Sequence, residues 1–124
     1  MKTIYIIGPL TPKGKRKDTD NPAIEYLFNV GEFIDAALAL IEKGWAPFCP
    51  GIDALYFLQP KARQVMTEKR IKNLSLAWLD VSDAAFLLPR WETSTGSQAE
   101  FRRAVELEMP LYENINDVPQ EDDE

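Results

Sequence analysis

The chain has 124 residues, 45% of them hydrophobic, with a formal net charge of −6; that length suits one domain with a buried core and is too short for two. The acidic balance argues against general nucleic-acid binding. Cys49 is the only cysteine and histidine is absent, which excludes disulfides, thiolate or imidazole zinc sites and any dyad or triad built on imidazole, so an enzyme of this composition would rely on carboxylates for proton or nucleophile work.

Residues 3–7, Thr3-Ile4-Tyr5-Ile6-Ile7, are a β-branched and aromatic run closed by Gly8-Pro9, which predicts a central strand followed by a turn. Met1 stands almost directly before that strand, without a basic-then-apolar leader, and no run of about 18 apolar residues occurs. The expectation is a cytoplasmic protein with no membrane partner. Residues 11–20 are polar and carry Lys13, Lys15, Arg16 and Lys17, a cluster that reads either as a solvated loop or as a mobile lid attracting phosphate. Asn21-Pro22 supplies an N-cap and a first-turn proline. Leu27, Gly31, Ile34, Leu38 and Ile41 then recur at helical spacing, and Gly44 ends the helix. A short second strand over 45–49 follows, and its Pro47 places it at a sheet edge.

Residues 52–59 predict an apolar loop or short helix whose Asp53, Tyr56 and Phe57 wall a pocket. The pattern next predicts a helix over 60–81 broken near Lys72 or Asn73, a strand over 84–88, a helix over 97–107 and a strand over 110–112. The run Gln120-Glu121-Asp122-Asp123-Glu124 reads as solvated, which divides the chain into a domain over 1–115 and an acidic, disordered tail over 116–124. Alternating strands and helices predict an α/β fold: three layers, α/β/α, around a doubly wound parallel sheet of four to five strands, Rossmann-like or flavodoxin-like, in an order such as 2-1-3-4. Ligands of such sheets bind at the carboxyl ends of the strands, where the winding reverses. The Gly8-Pro9-Leu10 turn, the Asp53 loop and residues 94–100 should therefore converge there, with Asp80 and Asp83 toward the opposite edge.

Residues 83–100 carry the most information: a buried strand, a small-residue loop, then a helix with an early carboxylate. Backbone N–H groups at Ser94, Thr95, Gly96 and Ser97 suit an anion beside Glu100, a combination that suggests nucleotide chemistry. Simpler readings stand beside this one. Ser97-Gln98-Ala99-Glu100 fits a capping box, in which the glutamate folds back on a backbone N–H for about 1 kcal/mol. Tyr5 fits a large β-former packed under a helix, Trp91 a plug at the sheet edge, and Arg102 with Glu106 an exposed i,i+4 pair.

Three motifs, Tyr5-Ile6-Ile7-Gly8-Pro9, Leu76-Ala77-Trp78-Leu79-Asp80-Val81-Ser82-Asp83 and Ser94-Thr95-Gly96-Ser97-Gln98-Ala99-Glu100, together resemble the nucleoside 2-deoxyribosyltransferases and the related deoxynucleoside 5'-monophosphate N-glycosidases. The resemblance spans most of the chain. It implies that Glu100 is a nucleophile, that Tyr5 hydrogen-bonds it, and that Ser94 and Gly96 bind phosphate, with a small-molecule nucleoside or nucleotide as ligand and no metal or organic cofactor. It further implies a homodimer or larger homo-oligomer whose sites are completed by neighbouring subunits, with Tyr56, Phe57 and Leu58 as candidate interface residues. Ser75 departs from the family, which usually has an aspartate there contacting the nucleobase or its leaving nitrogen; Asp53 is the topological substitute. The family's monophosphate enzymes carry an arginine soon after the first-strand glycine, where this chain offers Thr11, Lys13 and Lys15; Arg90 is a further candidate for a phosphate or base contact, not assigned to either. The implied reaction is attack of the Glu100 carboxylate on C1' of a deoxyribosyl group, giving a covalent sugar ester that water or a second base resolves. The rivals are a nucleotide-binding or regulatory protein with weak or no cleavage, which Ser75 favours, and an interaction module in which Glu100 is only a cap. An FMN carrier fits less well, because its phosphate loop would follow the first strand, and a receiver domain would need paired acids at the end of that strand.

Overall fold

A computed structural model of the chain describes residues 1–14 and 16–122, and for residues 51–54 the backbone alone. Lys15 of the basic cluster, the Asp53 side chain and the last two residues of the acidic run lie outside the described residues. Four strands, β1 (Thr3–Ile7), β2 (Ala46–Phe48), β3 (Ala84–Leu87) and β4 (Leu111–Tyr112), form one sheet in the order β2-β1-β3-β4, and every pairing is parallel. The helices are α1 (Pro22–Glu42), α2 (Ala62–Val65), α3 (Glu68–Asp80) and α4 (Thr95–Glu106). The fold is thus the three-layer α/β/α arrangement with the expected strand order, and Pro47 does lie on the edge strand.

Strand periodicity divides the core in two. Ile4 and Ile6 of β1 with Ala84 and Phe86 of β3 meet Phe33 and Leu40 of α1. Tyr5, Ile7, Ala85 and Leu87 point the other way and pack with Leu76 and Leu79 of α3 and Phe101 of α4. The winding reverses between β1 and β3, so their carboxyl ends open the crevice in which such sheets hold ligands. Gly8 sits at this point against Leu88: a Cβ at Gly8 would lie 2.7 Å from Leu88 Cδ1 and 2.9 Å from its Cβ. Gly8→Ala should therefore lower stability by about 1–3 kcal/mol, the scale of overpacking a tight core, measured as the shift in urea midpoint. An unchanged midpoint would show that Leu88 can move aside.

Local chemistry sets the helix ends. Asn21 Oδ1 accepts from the N–H groups of Ala23 and Ile24 at 3.0 and 3.3 Å, and Gly44 leaves α1 with φ 87°, a left-handed conformation that glycine adopts without strain. The apolar spacing identified α1 but not the face it buries: Phe33 and Leu40 go inward, whereas Leu27, Ile34, Leu38 and Ile41 are exposed. The single helix expected over 60–81 is two. It breaks at Met66 and Thr67, not near Lys72 or Asn73, because Thr67 Oγ1 accepts from Arg70 N (3.2 Å) and caps α3.

The expected disordered tail is also corrected. Residues 115–117 form a 3-10 turn, Val118 is buried, Trp45 Nε1 donates to Pro119 O at 2.8 Å and Lys43 Nζ to Val118 O at 2.8 Å. The domain therefore runs beyond 115, because an apolar residue and two carbonyl acceptors precede the acidic run.

Candidate functional site

A cleft of about 510 Å³ opens between α3 and α4, within the range of small-molecule pockets. On α3 the wall is Glu68, Ile71, Lys72, Ser75 and Leu76, whose spacing of three and four puts them on one helix face. On α4 it is Thr95, Gly96, Ala99, Glu100 and Arg102. Ile71, Leu76 and Ala99 give it an apolar lining among polar groups.

Glu100 is held from beneath. Tyr5 has no exposed surface, and its hydroxyl donates to Glu100 Oε2. The Tyr5 ring stacks on Phe48 at 5.4 Å, and Phe48 on Trp78 at 5.2 Å, so packing fixes the phenol before it meets the carboxylate. A hydroxyl donating to a carboxylate is a charge-assisted hydrogen bond, stronger than a neutral one. The capping-box alternative fails on geometry: α4 begins at Thr95, and the cap is Ser94, whose Oγ accepts from Ser97 N at 3.2 Å. Ser97 is consequently inside the first turn, and Glu100 lies in the second turn with its carboxylate on Tyr5.

Other expected site residues are distributed unevenly. Ser75 and Gly96 face the cleft together with Glu100. A Cβ at Gly96 would meet only Ser94 Oγ, at 3.8 Å, so the space beside this first turn is open. Ser94 serves as the cap, and Ser97 is buried with a hydroxyl that has no hydrogen-bond partner among the described residues; neither is in the cleft wall. Gly8, Pro9 and Leu10 are not in the wall either. Leu10 packs toward α1, where Asn29 Nδ2 donates to its carbonyl at 3.1 Å. Asp80 and Asp83 lie at the amino edge, as the topology requires: Asp83 Oδ2 accepts from Thr3 N at 2.8 Å, and Asp80 pairs with Arg103 at 2.8 Å. That hydrogen bond to Arg103 holds the Asp80 carboxyl below its usual range.

Sequence reasoning passed over Glu68, Lys72 and Arg102. For Glu68 and Lys72 the signal was available, since they lie seven and three residues before Ser75 on one helix face. Arg102 was expected to pair with Glu106, but Arg103 does so at 3.3 Å, and Arg102 lines the cleft.

The basic loop is organised differently from a lid. Glu25, buried in the first turn of α1, accepts from Lys13 N at 2.7 Å and Gly14 N at 3.1 Å. Arg16 bonds Asp18 (2.8 Å to Oδ1) and Glu32 (2.7 Å), and Arg90 joins Glu32 at 2.9 Å. Hydrogen bonding to Asp18 and then Glu32 holds the Arg16 guanidinium protonated far above its ordinary range, and Arg16 in turn depresses Asp18. Arg16, Lys17, Asp18 and Arg90 enclose a second cavity of about 370 Å³, which shares no wall residue with the Glu100 cleft.

Among the described residues no three metal-ligating side chains cluster, and no helix is long and apolar enough to cross a membrane. No family model, curated protein or solved structure matches the chain.

Proposed function

We propose that the chain cleaves or transfers at the N-glycosidic bond of a 2-deoxynucleoside or its 5'-monophosphate, with Glu100 as nucleophile. The observation that carries this reading is the Tyr5 hydroxyl on the Glu100 carboxylate, inside a cleft that also presents Ser75 and the start of α4. Glu100 adds to C1' as the C1'–N bond breaks; the bonding pair leaves with the base, which takes up a proton. Water then opens the sugar ester in hydrolysis, and a second base does so in transfer. Tyr5 orients the carboxylate. Lys72 and Arg102 put two cations in the same wall as Thr95 and Gly96, which suits the phosphate of a monophosphate beside backbone N–H groups. This carboxylate route needs neither metal nor organic cofactor.

The second reading is a nucleotide-binding protein of the same fold with little cleavage. Ser75 favours it, because a neutral hydroxyl faces the cleft where a leaving base would benefit from an acid. Chromatography of deoxynucleosides and their monophosphates incubated with the protein, with and without a second free base, separates the two. Base release or exchange supports the enzyme. Thermal stabilisation by the same ligands without base release supports the binding protein, since a ligand that binds only the folded state stabilises it by mass action.

The family resemblance also motivates a homo-oligomer, and Tyr56, Phe57 and Leu58 are all more than half exposed. With Leu55, also more than half exposed, they form an exposed apolar surface.

A further inference from the structure

Another exposed apolar surface lies on α1, on the opposite face of the sheet from the Glu100 cleft. Ile24, Leu27, Gly31, Ile34, Leu38 and Ile41 alternate in steps of three and four over three heptads, the seam spacing of a helix that packs on another helix. Leu27 is 64% exposed, Leu38 60% and Ile41 52%, and with Ile24, Ile34 and neighbouring Phe28 they leave large side chains in solvent. Nothing lies within 4 Å of a Cβ placed on Gly31. We infer that this stripe is a two-fold interface, in which α1 packs antiparallel against α1 of a second copy of the chain.

Self-complementarity is the argument for that occupant. An isologous interface requires that if one residue meets another, the second meets the first. Placing the two-fold axis between Gly31 and Ile34 sets Ile24 against Ile41, Leu27 against Leu38 and Gly31 against Ile34. Like-sized side chains meet at the ends, and the small residue receives a large one at the centre, where its missing side chain permits close approach.

Charge selects the same direction. The charged residues of α1 are Glu25, Glu32, Asp35 and Glu42, all acidic; Glu25 is turned to the basic loop and Glu32 to its Arg16 and to Arg90. In the antiparallel pairing Asp35 falls opposite Val30 and Glu42 opposite Ala23, whereas a parallel pairing would set Asp35 against Asp35 and align the two helix dipoles unfavourably. The exposed apolar surface of the stripe is roughly 500 Å² per copy, so two copies cover about 1,000 Å², the size at which an interface becomes specific.

Sedimentation of the full chain at micromolar concentration should show a dimer. The Leu27→Glu/Leu38→Glu variant changes only exposed positions and should weaken association by at least about 100-fold, the scale of losing central interface residues, whereas Tyr56→Ser/Phe57→Ser should leave the dimer intact. Circular dichroism checks the fold, and Leu27→Ala/Leu38→Ala replaces the charged variant if that one unfolds. Mixing Leu27→Cys with Leu38→Cys protein under oxidation should give the mixed disulfide in preference to either homodisulfide. A monomeric wild type, a dimer broken only by the Tyr56/Phe57 variant, or a preferred Leu27→Cys homodisulfide would each overturn the inference.

Discussion

Replacing Glu100 with glutamine should reduce base release by roughly 1,000-fold or more, the scale of removing an enzyme's nucleophile, while leaving the fold and nucleotide binding in place. The amide has the shape of the carboxylate and can still accept from the Tyr5 hydroxyl, so the packing of Tyr5 on Phe48 need not change. What it lacks is the negative oxygen that adds to C1' and offsets the positive charge developing on the sugar. Ligand-induced thermal stabilisation should therefore persist in the variant, which separates lost chemistry from lost binding. Tyr5→Phe should act in the same direction but less strongly, because it removes the group that orients the carboxylate and leaves the carboxylate itself. Measured by base release at saturating substrate, an undiminished rate in Glu100→Gln would place the nucleophile elsewhere, even if the substrate class were right.

The reach and the failures of sequence reading have distinct physical causes. Strands and their order were legible because a parallel sheet buried on both faces needs short apolar runs, β-branched in Thr3–Ile7 and built of Ala, Phe and Leu in Ala84–Leu87, and because connection rules leave few ways to arrange four of them. Cap chemistry was legible at Asn21 and Gly44, where one residue decides the end of a helix. It misled at Ser97, because Ser94 and Ser97 both suit an N-cap and the choice depends on how the preceding loop leaves β3. Burial on α1 was not legible from the apolar spacing. Helical periodicity reports an apolar stripe without saying whether the stripe meets the chain's own sheet or another molecule, and α1 has apolar residues on both sides. The contact between Tyr5 and Glu100 joins residues 95 positions apart, beyond any local pattern; the resemblance supplied the expectation of it. Arg102 stayed hidden because its type is common on solvated helices and only the facing helix makes it a wall residue, whereas Glu68 and Lys72 could have been found from their spacing to Ser75.

Ser75→Asp should raise turnover, by about 100-fold. A positioned acid that protonates the leaving base contributes roughly 100- to 10,000-fold, and Ser75 already stands on the cleft face of α3, across from Ala99 and Glu100. The lower end of that range is expected because Lys72 lies one turn away on the same face. A neighbouring ammonium favours the ionised carboxylate and so lowers the fraction of the new acid that carries a proton. This gives the pH dependence its sign: in the variant, turnover should fall as pH rises through the aspartate's pKa, a limb that the wild-type profile should lack. Adding Lys72→Ala should shift that limb to higher pH if the ammonium is the cause. Ser75→Ala should change turnover little, since a hydroxyl is a poor proton donor. Pre-steady-state base release across pH makes the comparison. If Ser75→Asp were no faster than wild type while Ser75→Ala were slower, the hydroxyl itself would be the working contact, and the candidate proton donor in the wall would be Glu68, whose carboxyl group stands there besides that of Glu100.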